Sequence, residues 1–173
     1  MSDEARLLAE IHAARGLMRP GGSGQAALRP GHAALWAHAT RMPGAPVDLA
    51  VARAIRDDPD TARRYRAMLG ARAVAHAPLA AAASDGALAR RRVGPFELEI
   101  LAGEDDAPPL LILRGTGARM PRAIEAWLGD ETVRLDLGPP VEGVILLALD
   151  PAVPDAALLG RMLGDPASAV FLL

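Results

Sequence analysis

The histidines at positions 12, 32, 38 and 76 are the side chains of this sequence best suited to hold a metal or move a proton. A structural or catalytic metal takes three or four imidazole, thiolate or carboxylate donors, and one helix presents two of them together at i, i+4. His32 and His38 stand six residues apart, on different sides of a helix, so a metal would need several of these histidines to converge from separate elements. The chain has no cysteine, which removes thiolate ligands, thiolate nucleophiles and disulfides together. It has no lysine, which removes Schiff-base chemistry and a lysine general base. Serine occurs at 2, 23, 84 and 168, never in a G-x-S-x-G turn, and Ser168 lies far along the chain from every histidine. Glu104, Asp105 and Asp106 precede Pro108 and Pro109 and read as a solvated turn rather than a cation site. The expectation is a chain with no catalytic residue, no metal and no cofactor.

The glycine cluster in RPGGSGQAALRPG (19–31) raises the question of a phosphate loop. Such a loop follows a strand, opens a helix and usually carries a lysine to the phosphates. Here an amphipathic helix precedes it, the spacing is wrong and the lysine is missing, so the stretch reads as a flexible linker.

Among 173 residues about half are apolar but few are aromatic, which predicts a globular chain with an aliphatic core and alanine-rich helices. The N-terminus begins with acids and is interrupted by Glu10 and His12, unlike a secretory leader. The longest strongly apolar run, 144–149, is too short to span a bilayer, and the chain reads as soluble and cytoplasmic. The net charge of −2 conceals a split: residues 1–92 carry 14 arginines against 8 acids, residues 93–173 carry 5 against 13. Such asymmetry points to two faces or two units with different partners.

Hydrophobic periodicity predicts helices over 3–18, 32–41 and 46–57. A fourth helix is capped by Asp58, opened by Pro59 and expected to run to Ala77, burying Ala62, Tyr65, Met68, Leu69 and Ala73. The period then changes. Phe96, Leu98 and Ile100 alternate with Glu97 and Glu99, and LLILR follows as a buried strand. Ile124, Ala126 and Leu128 face Val133, Leu135 and Leu137 across a hairpin turn at Gly129–Glu131. EGVILLAL is a strand, DAALLGRML a short helix and SAVFLL a last strand, an order compatible with one parallel crossover. The expected fold is α+β: a helical N-terminal half of about four short helices, then a β-rich C-terminal half with one short helix. The expected units are 1–85, an interaction domain with its linker at 19–31, and 93–173.

Arg63, Arg64, Arg66 and Arg72, with Arg90, Arg91 and Arg92, make a basic zone without the lysines, aromatics or reading helix of a nucleic-acid site. An acidic protein partner is a better match than nucleic acid, and solvated helix faces are the plain alternative. Read as a unit, LWAHATRMPGAPVDLAVARAIRDDPDTARRYRAML (35–69) resembles the N-terminal domain of bacterial anti-sigma factors, through Leu35, Gly44, Val51, Ile55, Asp58, Pro59, Arg63, Tyr65 and Leu69. Where the zinc-binding branch of that family has a histidine followed by two cysteines, His32 is followed by Trp36 and Ala39, so the resemblance is to zinc-free, soluble members. It implies a non-catalytic regulatory module that sequesters a sigma factor or a similar protein. The surface expected to meet the partner is Arg63, Arg64 and Arg66 with Tyr65, Leu35 and Trp36. The alternative is an accessory or assembly subunit that docks on a larger enzyme through its C-terminal sheet, where SAVFLL could offer an edge.

Overall fold

The computed structural model describes residues 29–77, 90–103 and 107–173. Its elements are α1 (His32–Ala39), α2 (Leu49–Asp57), α3 (Pro59–Arg72), β1 (Ala75–Ala77), β2 (Arg90–Val93), β3 (Phe96–Leu101), β4 (Leu110–Gly115), β5 (Ala123–Leu128), β6 (Glu131–Asp136), β7 (Val144–Ala148), α4 (Pro154–Gly164) and β8 (Ala169–Leu172). The helix starts are written in the sequence. Asp48 accepts hydrogen bonds from the Ala50 and Val51 amides at the head of α2. Asp58 accepts from the Thr61 amide and hydroxyl at the head of α3, where Pro59 occupies the first turn.

The strands form two antiparallel sheets, ordered β1-β8-β5-β6 and β2-β3-β4-β7. Their inner faces meet in one core, in which Phe96, Leu98, Leu111, Leu113 and Ile145 oppose Ile124, Ala126, Val170 and Leu172, and α4 adds Leu159, Met162 and Leu163. The outer face of the first sheet is apolar as well: Trp127, Ala169 and Phe171 pack against Leu35, Val51, Ile55, Tyr65 and Leu69 from the three helices. The layers are therefore helices, sheet, sheet. A strand covered on both sides loses its alternation, which is why β5 is buried at five successive positions and β8 at all four.

The expectation of a helical half followed by a β-rich half is corrected. The strand-rich part occupies most of the chain, and the helices form a layer on one of its sheets. The helix expected to reach Ala77 stops at Arg72, and Ala75–Ala77 pair with Val170–Leu172 as an edge strand. Alanine favours a helix there, but the open side of β8 offers ladder hydrogen bonds, and His76 stacks on Phe171 with ring centroids 6.0 Å apart. The first expected helix, most of the linker and the acids at 104–106 lie outside the described residues. Of the linker, Arg29 is held by Asp58 and Asp60, and Gly31 caps α1.

The parallel crossover is also corrected, since β7 and β8 belong to different sheets and every strand pairing is antiparallel. SAVFLL is not an edge: β8 lies between β1 and β5. The expected β5–β6 hairpin is present, with Ile124 opposite Leu135, Ala126 opposite Val133 and Leu128 opposite Glu131, and it turns at Gly129 with φ +59°.

Leu69 is fully buried where α3 meets the sheet. Leu69→Ala should cost about 2–5 kcal/mol in chemical denaturation. Gly115→Ala should also destabilise, because a Cβ there would overlap the Phe96 ring. A loss below about 1 kcal/mol in the Leu69 variant would contradict the seating of the helical layer.

Candidate functional site

Glu125 and Arg134 lie opposite each other across the β5–β6 ladder, on the face that the helices cover. Glu125 is 2% exposed. Its carboxylate accepts hydrogen bonds from the Tyr65 hydroxyl at 3.1 Å and from Trp127 Nε1 at 3.0 Å, and an Arg134 nitrogen stands 3.7 Å away. Burial pushes the Glu125 carboxyl above its ordinary value, against the pull of Arg134 and the two hydrogen bonds. Tyr65 is raised for the same leading reason, with the Glu125 charge adding to it.

Arg134 is spent largely on backbone. Its guanidinium donates to the carbonyls of His38, Ala39 and Arg41, closing the C-terminal end of α1, where a cation is favoured by the helix dipole. Its side chain is only 8% exposed, and its Nε is buried with no hydrogen-bond partner among the described residues. His38 packs edge-on against Tyr65, and burial, with the charges of Arg41 and Arg134, brings its pKa down to about 4. Gly44, at φ +73°, donates to an Asp136 carboxylate oxygen and holds the α1–α2 connection on the end of β6.

A groove of about 680 Å³ opens beside this tie, between the α1–α2 connection, the β4–β5 connection and the segment after β6. Arg41, Arg72, Arg119, Arg122 and Arg134 line it, and no Asp or Glu does. Among the described residues, Arg41, Arg72, Arg119 and Arg122 have no carboxylate within ion-pair distance. Between them lie Met42, Val74, Met120 and Leu137, with prolines at 43, 121, 139 and 140. Arg41 has a lowered pKa, from burial first and from repulsion by Arg134 second, offset in part by Tyr65, Glu125 and Asp136. An anion in this groove would relieve that repulsion. A smaller groove of about 470 Å³ shares Arg41 and Arg134 and reaches Glu125, but Asp130, Glu131 and Asp155 give it a mixed charge.

The expected partner-binding residues are separated by the fold. Leu35 and Tyr65 are fully buried, so they cannot be contact residues in this arrangement. Arg63 is paired with Asp60, Arg64 donates to Thr61 and to the Pro30 carbonyl, and Arg66 lies over the Trp127 ring. Trp36 is 43% exposed and has Arg72, one of the groove arginines, over its ring. The second basic cluster is consumed internally: Arg90 pairs with Glu97 and Glu99, and buried Arg91 donates to the Ser168 hydroxyl and carbonyl. His32 stacks on Trp36, whereas His76 lies across the sheet on Phe171. His12 is outside the described residues, among which no three His or acidic residues approach closely enough to hold a metal.

Sequence reasoning missed Arg119, Arg122 and Arg134 because they belong to the half with net negative charge. A local signal existed: between Asp106 and Glu125 the chain carries Arg114, Arg119 and Arg122 and no acid.

The two buried groups beside the tie act on stability in opposite directions. His38 is depressed to about 4 from 6.5, so the unfolded chain binds the extra proton and stability is lost as pH falls from 6.5 towards 4. Glu125 is raised above 4.5, so the folded chain holds the extra proton and stability is lost as pH rises above 4.5. Thermal melts at pH 7 and pH 5 should therefore show a smaller acid-side drop in His38→Gln than in the parent, and a larger one in Glu125→Gln. Equal drops in all three would contradict both assignments.

No helix among the described residues is long and apolar enough to cross a membrane. Comparison of the chain with protein-family models, with curated proteins and with solved structures gives no match.

Proposed function

We propose that this chain is a non-catalytic protein-binding module that docks an acidic segment of its partner in the arginine-lined groove. The observation that carries the reading is the lining itself: five arginines and no Asp or Glu side chain line one open concavity. Arginine clusters are a recurring way to recognise acidic stretches, because each guanidinium can meet a carboxylate with two parallel hydrogen bonds. The apolar surface between the arginines lowers the local dielectric and strengthens the field there. Nothing in the lining is a serine, cysteine or histidine that could attack or carry a proton.

The likeness of residues 35–69 to anti-sigma factors supports a regulatory partner such as a sigma factor. The mode of contact differs from a helical wrap. Leu35, Tyr65 and Leu69 face the chain's own sheet, so binding falls to the groove. One observation favours the accessory-subunit reading instead: β7 is an edge strand with Leu146 58% exposed and no charged residue along it.

A fluorescently labelled glutamate-rich peptide separates the two readings. Arg119→Glu with Arg122→Glu, both on exposed positions, should weaken its binding roughly tenfold or more at low salt while leaving the melting temperature unchanged. Arg63→Glu with Arg64→Glu should change it by less than about twofold, since the field of distant exposed charges is screened. Unchanged affinity in the Arg119/Arg122 variant would remove the groove from the interface and favour docking at β7.

A further inference from the structure

The apolar side chains between the arginines carry the docking reading one step further. Met42 is 59% exposed at the groove, and Val74 and Met120 are partly covered, so the site offers aliphatic surface beside its charge. The four lining prolines have no backbone donor to offer a ligand and hold the walls in fixed conformations, so the site is preformed. Arg134, its side chain more than nine-tenths buried and tied to the α1 carbonyls, forms the fixed floor of the positive lining.

Resting on the docking reading above, we infer that the occupant is a short protein segment in which acidic residues are interleaved with aliphatic ones, rather than a purely acidic tail or a small oxyanion. Its carboxylates meet the ring of guanidiniums, and its aliphatic side chains cover Met42, Val74 and Met120. Charge sets how fast and in which orientation the segment arrives. Apolar burial sets how long it stays, and salt does not screen that part.

The test uses the full chain and two labelled peptides of equal length and charge, one alternating Glu with Leu and one alternating Glu with Ser. The Glu–Leu peptide should bind about tenfold or more tightly than the Glu–Ser peptide, and should keep most of that advantage at roughly 0.5 M salt. Met42→Ser, at an exposed position, should weaken the Glu–Leu peptide by about threefold to tenfold and leave the Glu–Ser peptide and the melting temperature unchanged. Equal binding of the two peptides would overturn the aliphatic contribution while leaving acidic docking in place. Displacement of the Glu–Leu peptide by millimolar inorganic phosphate would also overturn it, by showing a small-oxyanion site. Failure of both peptides to bind would overturn this inference and the docking reading together.

Discussion

Glu125 is a carboxylate on a sheet face that carries a helical layer, and the arrangement of that layer follows from keeping it satisfied. A buried carboxylate without partners would cost far more than a domain of this size can absorb. Tyr65 reaches it from α3, Trp127 from the same strand, and Arg134 from the neighbouring strand. Each contact fixes something larger. The tyrosine sets the rotation of α3 on the sheet, and Arg134, held partly by Glu125, closes the end of α1 with its other nitrogens. Apolar packing through Leu35, Ile55 and Leu69 supplies the attraction between layers but tolerates sliding. The polar contacts do not, which makes them the part that selects one seating.

The same economy explains where positive charge collects. Arg134 is drawn inward to Glu125 and the α1 carbonyls, and Arg41 follows at the end of that helix. The β4–β5 connection brings Arg119 and Arg122 to the same side, and Arg72 ends α3 there. Several arginines elsewhere are paired with acids, as with Arg90, Arg114 and Arg161. The groove is thus the place where cations outnumber anions, on a chain whose net charge is slightly negative.

Much of the secondary structure was legible. Asp58 announced its helix, and the period of two at Phe96–Ile100 and the Gly129 turn announced their strands, because these signals are local. The layer order was not, although its trace was present: Trp127 and Phe171 are large apolar residues on the opposite strand face from Ile124 and Leu172, so both faces needed cover. The end of α3 was misread because alanine runs are helical by propensity, and only the distant β8 decides otherwise. The site was hidden for a similar reason. Its arginines come from positions 41 to 134, and summing charge over halves of the chain averaged them away.

The position of β8 governs the order in which this chain can fold. Its four residues are among the last to be synthesised in the sequence given, yet they sit in the middle of a sheet, with β1 as neighbour on one side and β5 on the other. Until β8 is made, β1 has no strand to pair with, and the helices lack Ala169 and Phe171, part of the surface they rest on. Joining Ala75 to Leu172 closes a loop of roughly a hundred residues, an entropic cost met before any contact there repays it. The amphipathic helices can pack on one another and on Trp127 of β5 beforehand, but the surface they rest on is complete only with β8. The sheet under the helices is thus closed by a long-range pairing, the kind of contact that slows folding.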